Sequence, residues 1–300
     1  MNHRGIALIV LTIALPGITA AEVSSDQWDA VDAHHEYDRH EEALAVLAEL
    51  EGDISNELDR AEMLWRRARA EFSVIDLALY GGEISEDEAM NRLETIQEMA
   101  HEAVQIAGSS APAQAYFWRG AARAKQGELR GVLNALFMAD DLRDDLRQAV
   151  AADSEYGNPY YVAGQLYQRL PGFPVSFGDT PAAVSFSRRA VDLHDAAYDA
   201  GDAPVRYWDY YVRLAENLQS RGWSQRRRER RIPSMADDRA AADTAFERAM
   251  YYETEAGVPE QSDQEEAAAL LQFVIAGLES QDELTVREER TLSDARELAR

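Results

Sequence analysis

The chain has no cysteine. That excludes disulfides, thiol nucleophiles, thiolate metal sites and lipid attachment through an N-terminal cysteine. A chain without thiols also suits an oxidising compartment. Lysine is almost missing as well: Lys125 stands alone, so arginine carries nearly all the positive charge. Glycine (17) and proline (9) are too scarce in 300 residues for a low-complexity chain. Positive charge is in short supply overall, with 30 basic against 55 acidic residues and a net charge of -25. So acidic a body repels phosphate backbones, which argues against nucleic acid as a partner. High solubility is the simpler consequence of this charge; an acidic face for a basic partner is the sharper one.

No stretch approaches the 18 apolar residues of a membrane-spanning helix. The first residues come nearest. His3 and Arg4 precede an apolar run from Gly5 to Leu15, broken by Pro16 and Gly17. Small residues Thr19, Ala20 and Ala21 then precede Glu22. This is the plan of a secretory signal peptide over residues 1–21, cleaved after Ala20 or Ala21, and it predicts an exported protein.

What the remainder has in abundance is helical periodicity. The spacing predicts helices over residues 26–37 and 41–50, with Ala43, Leu47 and Leu50 on one face. A long helix over 57–80 ends at Gly81 and Gly82, and Ser85 with Glu88 reads as a capping box opening a helix to 107. Tyr116, Gly120 and Gly127 precede a helix over 132–151. Tyr160, Ala163, Gly164 and Tyr167 then lie on one helix, and Ala183 and Ala190 on the next. Tyr207, Tyr210, Tyr211 and Leu214 begin a fifth pair, whose second helix is expected to hold Ala242, Phe246 and Ala249. Helices over 263–278 and 282–299 close the chain. No alternating strand pattern appears.

The aromatic, small, Gly and Tyr spacing of residues 160–167, followed by the Ala183 and Ala190 track, resembles a tetratricopeptide repeat. The resemblance covers residues 26–252 and implies an all-α, superhelical tetratricopeptide-like (TPR-like) solenoid. One domain over residues 22–300 would hold five helical pairs, inserts and a C-terminal cap. Residues 170–179, LPGFPVSFGD, are similar to an insert in the TatT family, periplasmic proteins associated with tripartite ATP-independent periplasmic (TRAP) transporters. That resemblance implies a non-enzymatic adaptor docking the transporter's solute-binding protein. The absent lipidation cysteine departs from the family's lipoproteins. A carrier of a small apolar or amphipathic ligand, enclosed by the groove and the insert, is the alternative.

Chemistry-bearing motifs are sparse. There is no nucleophile elbow, P-loop or dinucleotide glycine fingerprint, so neither catalysis nor a cofactor is expected. His34, His35 and His40 invite a metal reading, but His35 and His40 are five positions apart and cannot share one face of a continuous helix. Only a turn near Asp38 would join them, and no metal site is expected. Asp140, Asp141, Asp144 and Asp145 read as a solvated face, and His194 as a residue near a helix end.

Two features suggest binding. Arg221, Arg226, Arg227, Arg228, Arg230 and Arg231 crowd one insert, either pairing with acidic helices or docking an acidic partner; Arg227 and Arg228 are the candidates. Adjacent aromatics such as Tyr160–Tyr161 and Tyr210–Tyr211 lie about 100° apart on a helix and cannot share one seam. Their second members, Tyr161 and Tyr211, with Tyr116 and Trp208, are expected on an open binding face. Phe173 and Phe177 of the insert are expected to fold back over that face or a neighbouring helix. Self-association is left open by the sequence.

Overall fold

The computed structural model describes residues 23–257 and 260–300. The expected signal peptide lies outside the described residues. Within them every regular element is helical and there is no strand. None of these helices is long and apolar enough to cross a membrane.

The first eight helices pack in sequence, each beside the one before. Helix α1 (Ser25–Glu36) turns into α2 (His40–Leu50) through Asp38, which takes a left-handed φ of 56°. Ala43, Leu47 and Leu50 face Trp28 and Val31 and are buried, as their spacing requires. Helix α3 (Glu57–Tyr80) is capped by Asn56, and α4 (Glu86–Ala107) by Ser85, whose hydroxyl accepts the Glu88 amide at 3.2 Å. Helices α5 (Ala113–Arg130), α6 (Val132–Ala152), α7 (Asn158–Arg169) and α8 (Thr180–Ala200) extend the series. Two glycines set how closely they approach. A Cβ on Gly164 would lie 2.2 Å from the Ser187 hydroxyl oxygen, so α7 meets α8 backbone-close. Gly120 does the same for α5 on α6, with Asp145 Cβ 3.0 Å from the missing methyl.

The fifth pair departs from expectation. Helix α9 (Trp208–Arg221) forms, but no full second helix carries Ala242, Phe246 and Ala249. Gly222 ends α9 in a left-handed turn at φ 60°, and Pro233 interrupts the segment beyond it. That segment divides into the short helices α10 (Gln225–Arg231), α11 (Ala236–Ala241), α12 (Ala245–Ala249) and α13 (Glu253–Ala256). Phe246 and Ala249 are nonetheless buried, the Phe246 ring 4.8 Å from that of Phe186 on α8. Helix α9 packs instead on α8, α14 (Asp263–Glu279) and α15 (Val286–Leu298). The α9–α14 approach is so tight that a Cβ on Gly277 would strike the Trp208 ring at 2.2 Å. Helix α14, expected as a cap, therefore occupies the place of α9's missing partner.

The last helix returns to the first. Arg287 on α15 reaches Asp38 at 3.3 Å, and Arg290 reaches Asp76 on α3 at 3.2 Å. Asp76 also holds Lys125 at 2.7 Å. Tyr207 donates its hydroxyl to Glu36 at the end of α1. One apolar core runs from Ala61 to Ala295, with a smaller cluster under α1 and α2.

Candidate functional site

Residues 171–178, between α7 and α8, form a closed loop. The Gly178 amide donates to the Pro171 carbonyl at 3.0 Å, and the Asp179 amide to the Tyr167 carbonyl at 2.9 Å. At Gly178 a Cβ would sit 1.9 Å from the Leu170 carbonyl oxygen, so glycine alone permits this closure. Asp179 then caps α8 by accepting the Ala182 amide at 2.9 Å, with Pro181 in the first turn.

The two phenylalanines of the loop part company. Phe177 folds back as expected: its ring lies 5.1 Å from Tyr167 and under the Arg143 guanidinium at 4.1 Å. Phe173 does not. It is 94% exposed, next to Val175 at 71%, which corrects the expectation that both would turn inward. The loop is pinned at its base by backbone bonds and Phe177, which leaves nothing to draw its tip inward. Facing this tip, Phe137 in the second turn of α6 is 85% exposed. Phe137, Leu136, Pro174, Val175 and Phe177 line an open groove of about 500 Å³. Leu136 also borders a second cavity of about 280 Å³ between α5, α6 and α7, whose floor includes Met138, Leu142, Val162 and Leu166. Arg123, Glu128 and Arg169 supply its polar edge.

The aromatic candidates sit elsewhere and mostly inside. Tyr116 is half-buried, with the Arg119 guanidinium 5.5 Å from its ring. Tyr161 is half-buried and stacks on Tyr210 at 4.6 Å; burial, then the Asp209 carboxylate, raises its phenol pKa. Tyr211 is buried and does not lie on an open face: it bonds Asp195 and Arg206. Trp208 is committed to Gly277 and to Phe273 at 5.4 Å.

The histidines meet at the α1–α2 corner. The turn at Asp38 brings the His35 and His40 rings to 5.0 Å, with Trp118 6.0 Å from His35. Burial holds His35 well below its ordinary pKa and lowers His40 to about 4, against the pull of Asp38. Among the described residues no group of His, Asp or Glu is arranged to hold a metal ion. His194 lies within α8 rather than at its end. Burial lowers its pKa, and its Nε2 accepts the Tyr207 amide at 2.8 Å. Asp140, Asp141 and Asp144 are exposed, but Asp145 is buried between Arg119 and Arg123 at 2.5 and 2.6 Å.

The arginine insert divides in two. Arg228 is completely buried, not a surface group. It lies 2.7 Å from Glu266 and 3.4 Å from Asp263, while Arg221 forms a bidentate pair with Asp263, both bonds 2.8 Å, and also binds Glu253. Arg188 on α8 joins the hub through Glu266 at 2.7 Å. Three arginines and three carboxylates thus balance in the interior. Burial alone would push Glu266 up, yet Arg188 and Arg228 hold its pKa below the ordinary value. Arg227 stays exposed, 5.0 Å over Trp223.

No protein-family model matches the chain, and no curated protein matches it. Sequence reasoning missed Phe137 because an apolar residue in a helix reads as core. It missed the hub acids Glu253, Asp263 and Glu266 because their partners are 25 to 78 residues away.

Proposed function

We propose that the protein is a non-enzymatic binding module of TPR-like architecture that docks a protein partner in the groove between α6 and the 171–178 loop. The observation that carries this reading is the exposure of Phe137 and Val175 along that groove, with Phe173 exposed beside it at the loop tip. Large apolar side chains clustered in water lose free energy unless a partner covers them. With the loop similarity and the expected signal peptide, the partner is taken to be a periplasmic solute-binding protein of a TRAP-type transporter.

Surface plasmon resonance with such a solute-binding protein tests the reading. Phe137→Ser with Phe173→Ser should weaken binding by on the order of thirtyfold, the loss of a central apolar anchor, at unchanged thermal stability. An affinity that does not move rejects the groove.

The adjoining 280 Å³ cavity favours a second reading, carriage of a small apolar or amphipathic molecule, being near the lower size of ligand pockets. Native mass spectrometry of gently purified protein distinguishes the two. A carrier shows a discrete mass adduct removed by organic extraction, and an adaptor shows none.

A further inference from the structure

The arginines of α10 separate by helical phase. Arg226, Arg230, Arg227 and Arg231 fall within an arc of about 140°, and Arg228 lies outside it. Arg228 enters the buried hub, and Ile232 and Met235 beyond it are buried beside Trp223. Helix α10 is therefore anchored on one side, with the other four guanidinium groups exposed to water.

Those four have no ion-pair partner among the described residues. Arg227 rests on Trp223, and the Arg230 Nε donates to the Arg226 carbonyl at 3.3 Å. Glu229, the one acid on α10, lies off the arc and accepts from Gln225 at 3.0 Å. Other exposed arginines either pair with a carboxylate, as in Arg60–Glu102, Arg130–Glu94 and Arg296–Glu279, or stand singly, as Arg39, Arg169 and Arg300 do; only on α10 do four lie together without an ion pair among the described residues. In a chain of net charge -25, acids are never scarce. Yet here Arg226 opposes Arg230 and Arg227 opposes Arg231 at the four-residue spacing where like charges repel.

We infer that this arginine face is a docking surface for an acidic peptide segment of a protein partner, rich in Asp and Glu. Guanidinium forks take carboxylates in bidentate pairs, and arginine rather than lysine supplies every cation here. The occupant must be compact. An extended anionic membrane, or a second copy of the chain, would bring its charge against the acidic body. A short segment meets only the local field, because screening at physiological salt acts over about 8 Å. The anchored helix holds the forks in place before binding, which lowers the ordering cost. This surface lies on other elements than the apolar groove and does not depend on it.

The test is fluorescence anisotropy of a labelled oligo-glutamate peptide with the full chain. Saturable binding that weakens with added salt is expected. Arg226→Gln with Arg230→Gln and Arg231→Gln should lower the affinity by about tenfold or more, the loss of several charge-assisted pairs. Arg39→Gln with Arg92→Gln and Arg300→Gln removes the same charge outside the face and should leave affinity within about twofold. No binding, or equal loss in both triple variants, overturns the proposal. So does sedimentation with phosphatidylglycerol vesicles without peptide binding, or a dimer that the first triple variant dissolves. Phe137→Ser with Phe173→Ser should leave peptide binding unchanged, which separates this surface from the groove.

Discussion

Gly164 shows how much one hydrogen atom in place of a methyl group can decide. With Ser187 Oγ 2.2 Å and the Ala183 carbonyl 3.2 Å from where a Cβ would stand, α7 and α8 cannot keep their distance around alanine. Gly164→Ala should cost about 1–3 kcal/mol, the usual penalty of overpacking, measured by urea denaturation. At Gly120 the nearest atoms, Asp145 Cβ at 3.0 Å and a Leu142 methyl at 3.2 Å, stand farther from the missing methyl, so alanine should cost less there. Both glycines were legible in the sequence, because their spacing from neighbouring aromatics marks a close helix contact. Arg227 and Arg228 were not separable there. They are adjacent and identical in chemistry, and only the positions of Glu253, Asp263 and Glu266 draw one inward. Phe173 was misjudged for a related reason: apolar character says that a side chain avoids water, not that the loop can deliver it to a core.

At the scale of elements, the α1–α2 corner holds a pH dependence. His35 and His40 are both depressed below 6.5, burial first, with Arg69 and Arg287 also opposing the charged forms. Asp38 and Glu42 favour charge on His40 but do not prevail. The unfolded chain therefore binds more protons than the folded one. Stability is complete above pH 6.5 and falls as pH drops toward 4. For His40 the loss is about 2 kcal/mol by about pH 5. Urea midpoints at about pH 7.5 and about pH 5 should differ accordingly, and His40→Gln should flatten the difference. An unchanged slope in that variant would exclude His40 as a source. The elements themselves were mostly legible from periodicity, since α1 to α9 follow it closely. Residues 222–262 were not. Phe246 and Ala249 carry the spacing of a repeat's second helix and are buried as it requires, yet a five-residue helix suffices to present them. The pattern records burial, while Gly222, Pro233 and Thr244 decide how long each helix runs.

At the scale of the whole molecule, contacts from α15 to the α1–α2 turn and to α3 tie the two ends of the described chain together. Arg287 bridges Asp38 and lies 5.0 Å over the Tyr207 ring, and Tyr207 in turn bonds Glu36. Arg287→Ala should cost about 1 kcal/mol, given its partly exposed pairs. Its signature is where the loss shows: hydrogen exchange should quicken in α1 and α2 as well as in α15. Faster exchange confined to α15 would mean that the ends touch without coupling. No periodicity forecasts this closure, because it depends on the summed rotation of every helix between.

The buried hub of Arg188, Arg221 and Arg228 with Glu253, Asp263 and Glu266 also constrains how such a sequence can change over generations. Removing any one member strands a charge in the interior, a loss of about 3–5 kcal/mol, while exchanging all six for well-packed apolar residues can be neutral. Drift through single substitutions is therefore blocked at every first step. Descendants of this chain should inherit the six residues as a block, or lose them together.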